Sequence, residues 1–416
     1  MIRDRLRSGF VLCILIVICT VMVSSCSSRY SGPVFDKTHT IIRSDECVSG
    51  NGGHIEQLGD CLEFCYSADK PGFYDLEISY TQRSGSDVTL GLFVADHFCK
   101  KVCYGCADQL AVLTETVYLD EGNNMIRFEY LAGDGPVVLN SFRLTPSDKE
   151  ITLVVAPHED DEILGFCGTI ENTLNNGGVV KVVLLTNGDY FSPSLSSIRI
   201  QETIRALSHI GLDSSDIIFM GYGDFLIWDL YLDDSSRTPF ESKAGLTSTY
   251  ADPDNNIYDY HTLDTGEPGP YTGKNFKDDL YNIICEYRPS IIYTTSEFEW
   301  HPDHKYAYRS VYDTILRIQE DHDYHPVLYQ GVIHGENADW PDRGSMVFSD
   351  PFPSGDTPLN WEEAVHLELT DEMIRNKYDA ISEYVTQNEG TDFNGSSSEF
   401  NFAFCKEEEF YWPFYF

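Results

Sequence analysis

The sequence predicts an open, mostly parallel α/β sheet preceded by an antiparallel β-sandwich. Three observations carry this. The chain has 416 residues, 42% of them hydrophobic, which is more than one core usually serves, so two domains are expected. Residues 41–148 alternate apolar and polar side chains with period two. From residue 149 onward, continuous apolar runs alternate with helical stretches.

The chain opens on an Arg-rich segment, Met1 to Arg7, followed by a weakly polar run from Phe10 to Val23. That run is shorter than the ~20 residues a membrane-spanning helix needs, and it has the form of an export signal. It ends in Val23-Ser24-Ser25-Cys26, which resembles the lipobox of bacterial lipoproteins. The resemblance implies removal of the signal (1–26), a lipid on Cys26, attachment to a membrane outside the cytoplasm, and a Ser-rich tether over 27–40. A formal net charge of −39 repels nucleic-acid backbones and excludes them as partners, while favouring neutral or cationic ones.

In the first domain, Tyr74–Tyr80 and Val88–Val94 read as half-buried strands, as do Met125–Tyr130 and Val138–Leu144. Short strands separated by turns, without a helical stretch, imply a sandwich. Cys47, Cys61, Cys65, Cys99, Cys103 and Cys106 crowd into this region, and in an exported chain such clustering favours disulfides over metal thiolates. The order of "KPGFYDLEISY", "VYLDEGNNMIRFEY" and "VVLNSFRLTP" resembles the jelly-roll carbohydrate-binding modules. The resemblance implies a glycan as partner of this domain; a plain spacer is the alternative.

In the second domain, 149–416, Ile151–Ala156, Val179–Leu185, Ile217–Met220 and Ile291–Tyr293 read as buried parallel strands. Between and after them lie helical segments, Ile163–Asn175, Ser196–Ile210, Phe276–Tyr287 and Tyr306–Gln319. Right-handed crossovers then give a Rossmann-like open sheet, with reactive groups at the carboxyl ends of its strands.

Two clusters occupy such ends. The first strand runs into Pro157-His158-Glu159-Asp160-Asp161-Glu162, five successive ionisable residues whose repulsion a divalent cation would relieve. His158 and Asp161 are three apart, so both can reach one ion from a helix start while Asp160 points elsewhere. Another strand ends near His301-Pro302-Asp303-His304, where Pro302 suits a first helical turn and both histidines face the strand tips.

"APHEDDEILGFCGTI" resembles the A-H-P-D-D-E signature of the PIG-L/LmbE N-acetylglucosaminyl deacetylases, and "HPDH" resembles their second motif. The likeness extends over 151–416 through "NGD", "RIQETIRALSHIGL" and "NKYDAISEYVTQ". It departs at Glu159, where the signature usually has proline. The resemblance implies that His158, Asp161 and His304 hold Zn2+, and that Asp160 takes the proton of the attacking water. It further implies a protonated His301 that stabilises the oxyanion, with Asp303 orienting His301. Arg199 and Asp224 are implied on the substrate side. Iron or cobalt would suit the same ligands.

The expected function is therefore removal of N-acetyl groups from an N-acetylglucosamine-containing glycan or glycoconjugate outside the cytoplasm. A zinc amidase acting on a larger amide and a non-enzymatic glycan-binding surface protein are the alternatives. His209, His322, His325, His334 and His366 are expected to be structural. The stretch 229–274 is expected to roof the site, and the aromatic end, Phe410–Phe416, to dock on the core.

Overall fold

The computed structural model describes residues 34–35, 41–43 and 53–416, apart from 84–85, 95–96, 148, 150, 236, 321, 323, 390 and 393–394. The expected export signal and most of the tether lie outside the described residues.

Among the described residues, ten strands form the first domain: β1 (Val34–Phe35), β2 (Ile41–Arg43), β3 (His54–Ile55), β4 (Cys61–Ala68), β5 (Gly72–Gln82), β6 (Val88–Val94), β7 (His97–Tyr104), β8 (Ala107–Leu119), β9 (Gly122–Ala132) and β10 (Val137–Pro146). They build two sheets, β1-β4-β9-β6-β7 and β2-β10-β5-β8, with β3 also on β10. Period two does what it must: Tyr74, Leu76, Ile78 and Tyr80 of β5 turn inward and their neighbours outward. Between the sheets, the Phe142 ring stacks on Phe64 at 4.7 Å and on Phe128 at 5.3 Å. The two residues of β1 come from the expected tether. They pair in parallel with Cys65 and Tyr66, so pairing begins ahead of residue 41.

The expected disulfides left the pairing open, and the strands exclude bridges between cysteines of one strand. Cys61 and Cys65 lie on β4, and Cys99 and Cys103 on β7, each pair four residues apart. That separation spans about 13 Å of strand, beyond the ~7 Å limit between bridged Cα atoms. Cys103 and Cys106 are exposed thiols.

The second domain contains, in chain order, β11 (Ile151–Ala156), α1 (Asp161–Asn175), β12 (Val179–Thr186), α2 (Pro193–His209), β13 (Ile217–Tyr222), α3 (Ile227–Leu232), α4 (Tyr260–Thr265), α5 (Gly273–Tyr287), β14 (Ile291–Thr295), α6 (Pro302–Gln319), β15 (Val327–Gly331), β16 (Val365–Glu368), α7 (Asp371–Glu383), α8 (Val385–Asn388), the hairpin β17 (Thr391–Asp392) and β18 (Gly395–Ser396), α9 (Ser397–Phe402) and β19 (Glu408–Tyr415). The seven-stranded sheet runs β13-β12-β11-β14-β15-β19-β16. Its first five strands are parallel, and β19 is antiparallel to both β15 and β16. All six residues of β11 are buried, as expected of a strand with helices on both faces. Val154 and Ala156 enter one core with α1 and α2, while Leu153 and Val155 enter the other with α5 and α6.

The aromatic end docks as β19, burying Phe410, Tyr411 and Trp412. Glu409 of the same strand is buried with Lys377 of α7 at 2.8 Å. Its carboxylate also accepts the Gly168 and Thr169 amides of α1, and the Lys377 ammonium donates to the Leu164 carbonyl. This charge pair fixes the helix that begins at Asp161. Lys377→Met, which strands a buried carboxylate, is expected to cost about 3–5 kcal/mol in urea unfolding. A loss below about 1 kcal/mol would show that the pair does not hold α1.

Candidate active site

The site sits where the chain reverses its direction of travel across the sheet. From β11 the strands go outward through β12 to β13, whereas β14, the other neighbour of β11, starts the opposite half. Residues Val154 and Tyr293 are paired, so both strands deliver their next loops to one edge. Such a switch point leaves a crevice beyond the strand ends. One loop carries His158 to Asp160 and opens α1. The other carries Glu299 to His301 and opens α6.

Three side-chain atoms converge there. His158 Nδ1 lies 3.1 Å from Asp161 Oδ2, His304 Nε2 lies 3.2 Å from that oxygen, and the two nitrogens are 3.3 Å apart. Zinc bonded at ~2.0–2.1 Å in a tetrahedron has ligands about 3.3 Å apart, so the donors fit this ion in both kind and spacing. The surroundings favour positive charge: although burial opposes it, Asp161 and Glu299 push His304 up to about 10. Burial likewise raises Asp161, but His304 and His158 prevail and hold its carboxyl well below the usual carboxylate range. One ring nitrogen each of His158, His301 and His304 also come within 4.8 Å of one another, so His301 is near enough to join a donor set.

The rings are oriented from behind. Glu299, which the sequence reading missed, accepts from His304 Nδ1 at 2.8 Å and from the Ile333 and His334 amides at 3.0 and 2.9 Å. A carboxylate on the far nitrogen fixes the tautomer and leaves Nε2 for a metal. Its sequence signal was an acidic residue two positions before His301. His158 Nε2 faces Asp303 Oδ2 and Asp224 Oδ1, both at 3.3 Å. One expectation changes here. Asp303 orients His158 rather than His301, because the Phe225 and Ile227 amides, at 2.7 and 3.1 Å, turn its carboxylate under the start of α6. Asp224 stands beside His158 as well as lining the pocket.

Asp160 caps α1 at φ 119°, a strained conformation for any residue but glycine. Its amide donates to Glu162 Oε2 at 3.0 Å, and Glu162 in turn accepts from Tyr384 Oη. Burial, then the charge of Asp161, push the Asp160 carboxyl up to about 7 against the pull of Arg199. Arg199 itself donates to the Glu159 carbonyl at 2.6 Å and the Gly188 carbonyl at 3.1 Å, and its guanidinium lies 3.9 Å from Asp160 Oδ1. It lines the pocket while tying the two loops together. Glu159 is fully buried 3.5 Å from the same guanidinium, so where the signature carries proline this chain carries an ion pair. Gly188, at φ 52°, keeps room for it: a Cβ there would lie 2.3 Å from Arg199 Nη1.

The pocket above these groups has a volume of about 490 Å³. Rings follow one another around its wall: Phe191, Tyr190, Phe225, His301, Trp300, His334 and Phe400, with successive centroids 4.9–5.7 Å apart. Phe191 is 85% exposed and Trp300 52%. Burial, then the charges of His304 and His158, push the His301 ring far below the usual histidine range, against the protonated form that the resemblance implies. A neutral imidazole still offers one N–H to an oxyanion. His334, expected to be structural, lies in the pocket, 4.9 Å from the His304 ring. It follows β15, another parallel strand end, and that position was the overlooked signal.

Among the described residues, none of the stretch 229–274, expected to roof the site, lines this pocket. It packs behind the strand ends, where Tyr250 Oη donates to Asp189 Oδ2 at 2.8 Å and Asp189 Oδ1 accepts the Asp224 amide at 2.9 Å. Buried Tyr260 and Tyr271 hold it against the sheet. Gly221, at φ 78°, permits this approach, since a Cβ would lie 2.4 Å from the Tyr250 carbonyl oxygen.

Fold and donors together define an α/β protein with a histidine–carboxylate site of the metal-binding kind at its switch point, joined to a β-sandwich. Residues 153–315 match the family model described as PIG-L, GlcNAc-PI de-N-acetylase, and the chain carries a PIG-L domain over that span. Among solved structures, it is similar to N,N'-diacetylchitobiose deacetylase from Pyrococcus horikoshii, at 19% identity over 41% of this chain and 51% of that one, with a TM-score of 0.28. The match thus spans about half the length of the deacetylase chain. A conserved protein from Thermus thermophilus is similar at 19% identity over 57% of this chain and 79% of that one, TM-score 0.34. A family 35 carbohydrate-binding module from Clostridium thermocellum is similar at 16% identity over 27% of this chain and all of that one, TM-score 0.23. No curated protein matches the chain.

Proposed function

We propose that the protein is a zinc-dependent N-deacetylase that hydrolyses the acetamide of an N-acetylglucosamine-containing glycan or glycoconjugate. The observation that carries this reading is the His158–Asp161–His304 triangle with the raised carboxyl of Asp160 beside it, inside a PIG-L domain. Zinc held by those three residues would acidify a water and polarise the amide carbonyl. Asp160 accepts a proton from the water as its oxygen forms a bond to the carbonyl carbon. His301 donates a hydrogen bond to the carbonyl oxygen as charge builds there. Asp160 then returns the proton to the nitrogen as the C–N bond breaks, so acetate and a free amine leave together. Glu299 and Asp303 hold the two histidine rings in register throughout.

The aromatic wall supports a sugar, since pyranose C–H faces stack on rings while hydroxyl groups need polar partners at the edges. Export and a lipid on Cys26 belong to the same proposal and are supported by the sequence of residues 1–26 alone. Glycan binding by the sandwich also belongs to the proposal, and rests on the strand order of that domain. The experiment is metal analysis of the purified protein, with acetate and amine release measured on a panel of N-acetylated glycans. About one equivalent of zinc and stoichiometric acetate and amine are expected. A folded protein that retains no zinc from zinc-containing buffer, and whose hydrolysis is indifferent to chelators, would sink the metal reading.

A further inference from the structure

A second cavity of about 300 Å³ opens beside the catalytic pocket, lined by Trp300, His334, Glu336, Asn337 and Trp340 among others. Trp300 and His334 line both cavities, so the two chambers share an aromatic wall whose rings lie 5.0 Å apart. The far wall is the buried Trp340 indole, anchored by its Nε1–H to the Ser349 carbonyl at 2.9 Å. Glu336 is held at the rim, where its Oε2 accepts the Ser354 amide at 3.0 Å. The half-exposed Trp300 indole, with the Glu336 carboxylate and the Asn337 amide lining the same cavity, offers a stacking face and hydrogen-bond partners at once. That combination suits a pyranose ring, which is apolar on its faces and polar at its edge. The carboxylate, in a chain of net charge −39, selects a neutral or amino sugar over an acidic one.

We propose that this cavity is a subsite for the sugar next to the one being deacetylated, so that the preferred substrate is an oligosaccharide and not a free monosaccharide. The inference rests on the N-deacetylase reading above. It deepens that reading by naming the substrate class.

The test compares kcat/KM for acetate release from N-acetylglucosamine and from its β-1,4-linked tetramer, using the full-length zinc-loaded protein. The tetramer is expected to be favoured by about tenfold or more, and Trp300→Ala or Asn337→Ala to cut that preference. Loss of one stacking face corresponds to about tenfold. Trp300→Phe, which keeps an aromatic face, should retain most of the preference. Equal kcat/KM for monomer and tetramer in the unaltered protein, or a preference untouched by both alanine variants, overturns the subsite. Calorimetric titration of Asp160→Asn with the same two sugars reads the subsite without turnover. Tetramer-selective binding with no acetate from any sugar would reject the deacetylase reading and keep the subsite. Acetate release with no tetramer selectivity in either measurement would do the reverse.

Discussion

Asp160→Asn is expected to keep its metal and lose about 10²–10⁴-fold in turnover, the usual cost of removing a general base. Asp160 stands outside the triangle formed by His158, Asp161 and His304, so an amide there removes no ligand. It removes a carboxyl that burial and Asp161 push up to about 7, where a base is half ionised at neutral pH. The sign follows: a raised carboxyl is protonated and idle below that value, so kcat/KM rises with pH through neutrality. In Asp160→Asn the limb should flatten, with metal content and the circular dichroism spectrum unchanged. The strain at φ 119° supports the assignment, because the fold maintains a costly backbone conformation to aim this side chain.

Much of the site was legible because parallel sheets put chemistry at strand ends and β11 and β14 read plainly as buried strands. Residues that follow those two strands were found for that reason. His334 follows β15, whose Val327-Leu328-Tyr329 run is as apolar as Ile291-Ile292-Tyr293 of β14, but no cluster of adjacent ionisable residues follows it to mark the strand end. Glu299 was missed because a single acid in a loop has the same sequence appearance whether it is solvated or buried behind a histidine. Asp303 was assigned to the wrong ring, since spacing along α6 cannot show that the 225–227 backbone reaches across to claim its carboxylate. In the sandwich, β8 went unread because most of its side chains are half-buried or exposed and only Val117 and Leu119 near its end are buried, which leaves period two faint.

The departure at Glu159 has a physical account that no local rule supplied. Proline would stiffen the loop covalently; here a buried carboxylate pairs with Arg199, whose other contacts reach the Gly188 carbonyl and approach Asp160. Burial pushes Glu159 up to about 7 while Arg199 pulls it back. The loop is therefore held by a charge network that also bears on the base, so substitutions at Arg199 act on Asp160 and on loop geometry together.

Asp161→Asn should have the opposite signature to its neighbour: loss of metal, with turnover lost in proportion. Asp161 Oδ2 is the one oxygen shared by both rings, 3.1 Å from His158 Nδ1 and 3.2 Å from His304 Nε2. It also accepts the His158 amide at 3.1 Å, so the carboxylate sets the backbone of the loop as well as the donor triangle. A neutral amide removes the negative charge that a cation and two imidazoles are gathered around. Changing an outer partner of a metal ligand already weakens affinity by 10–100-fold, so losing a ligand should cost more than about 100-fold. Metal analysis after dialysis against a weak chelator measures this, and excess zinc should restore part of the activity. If Asp161→Asn instead kept both metal and turnover while Asp160→Asn lost the metal, the two roles would be exchanged, and the strained carboxylate at the start of α1 would be the ligand.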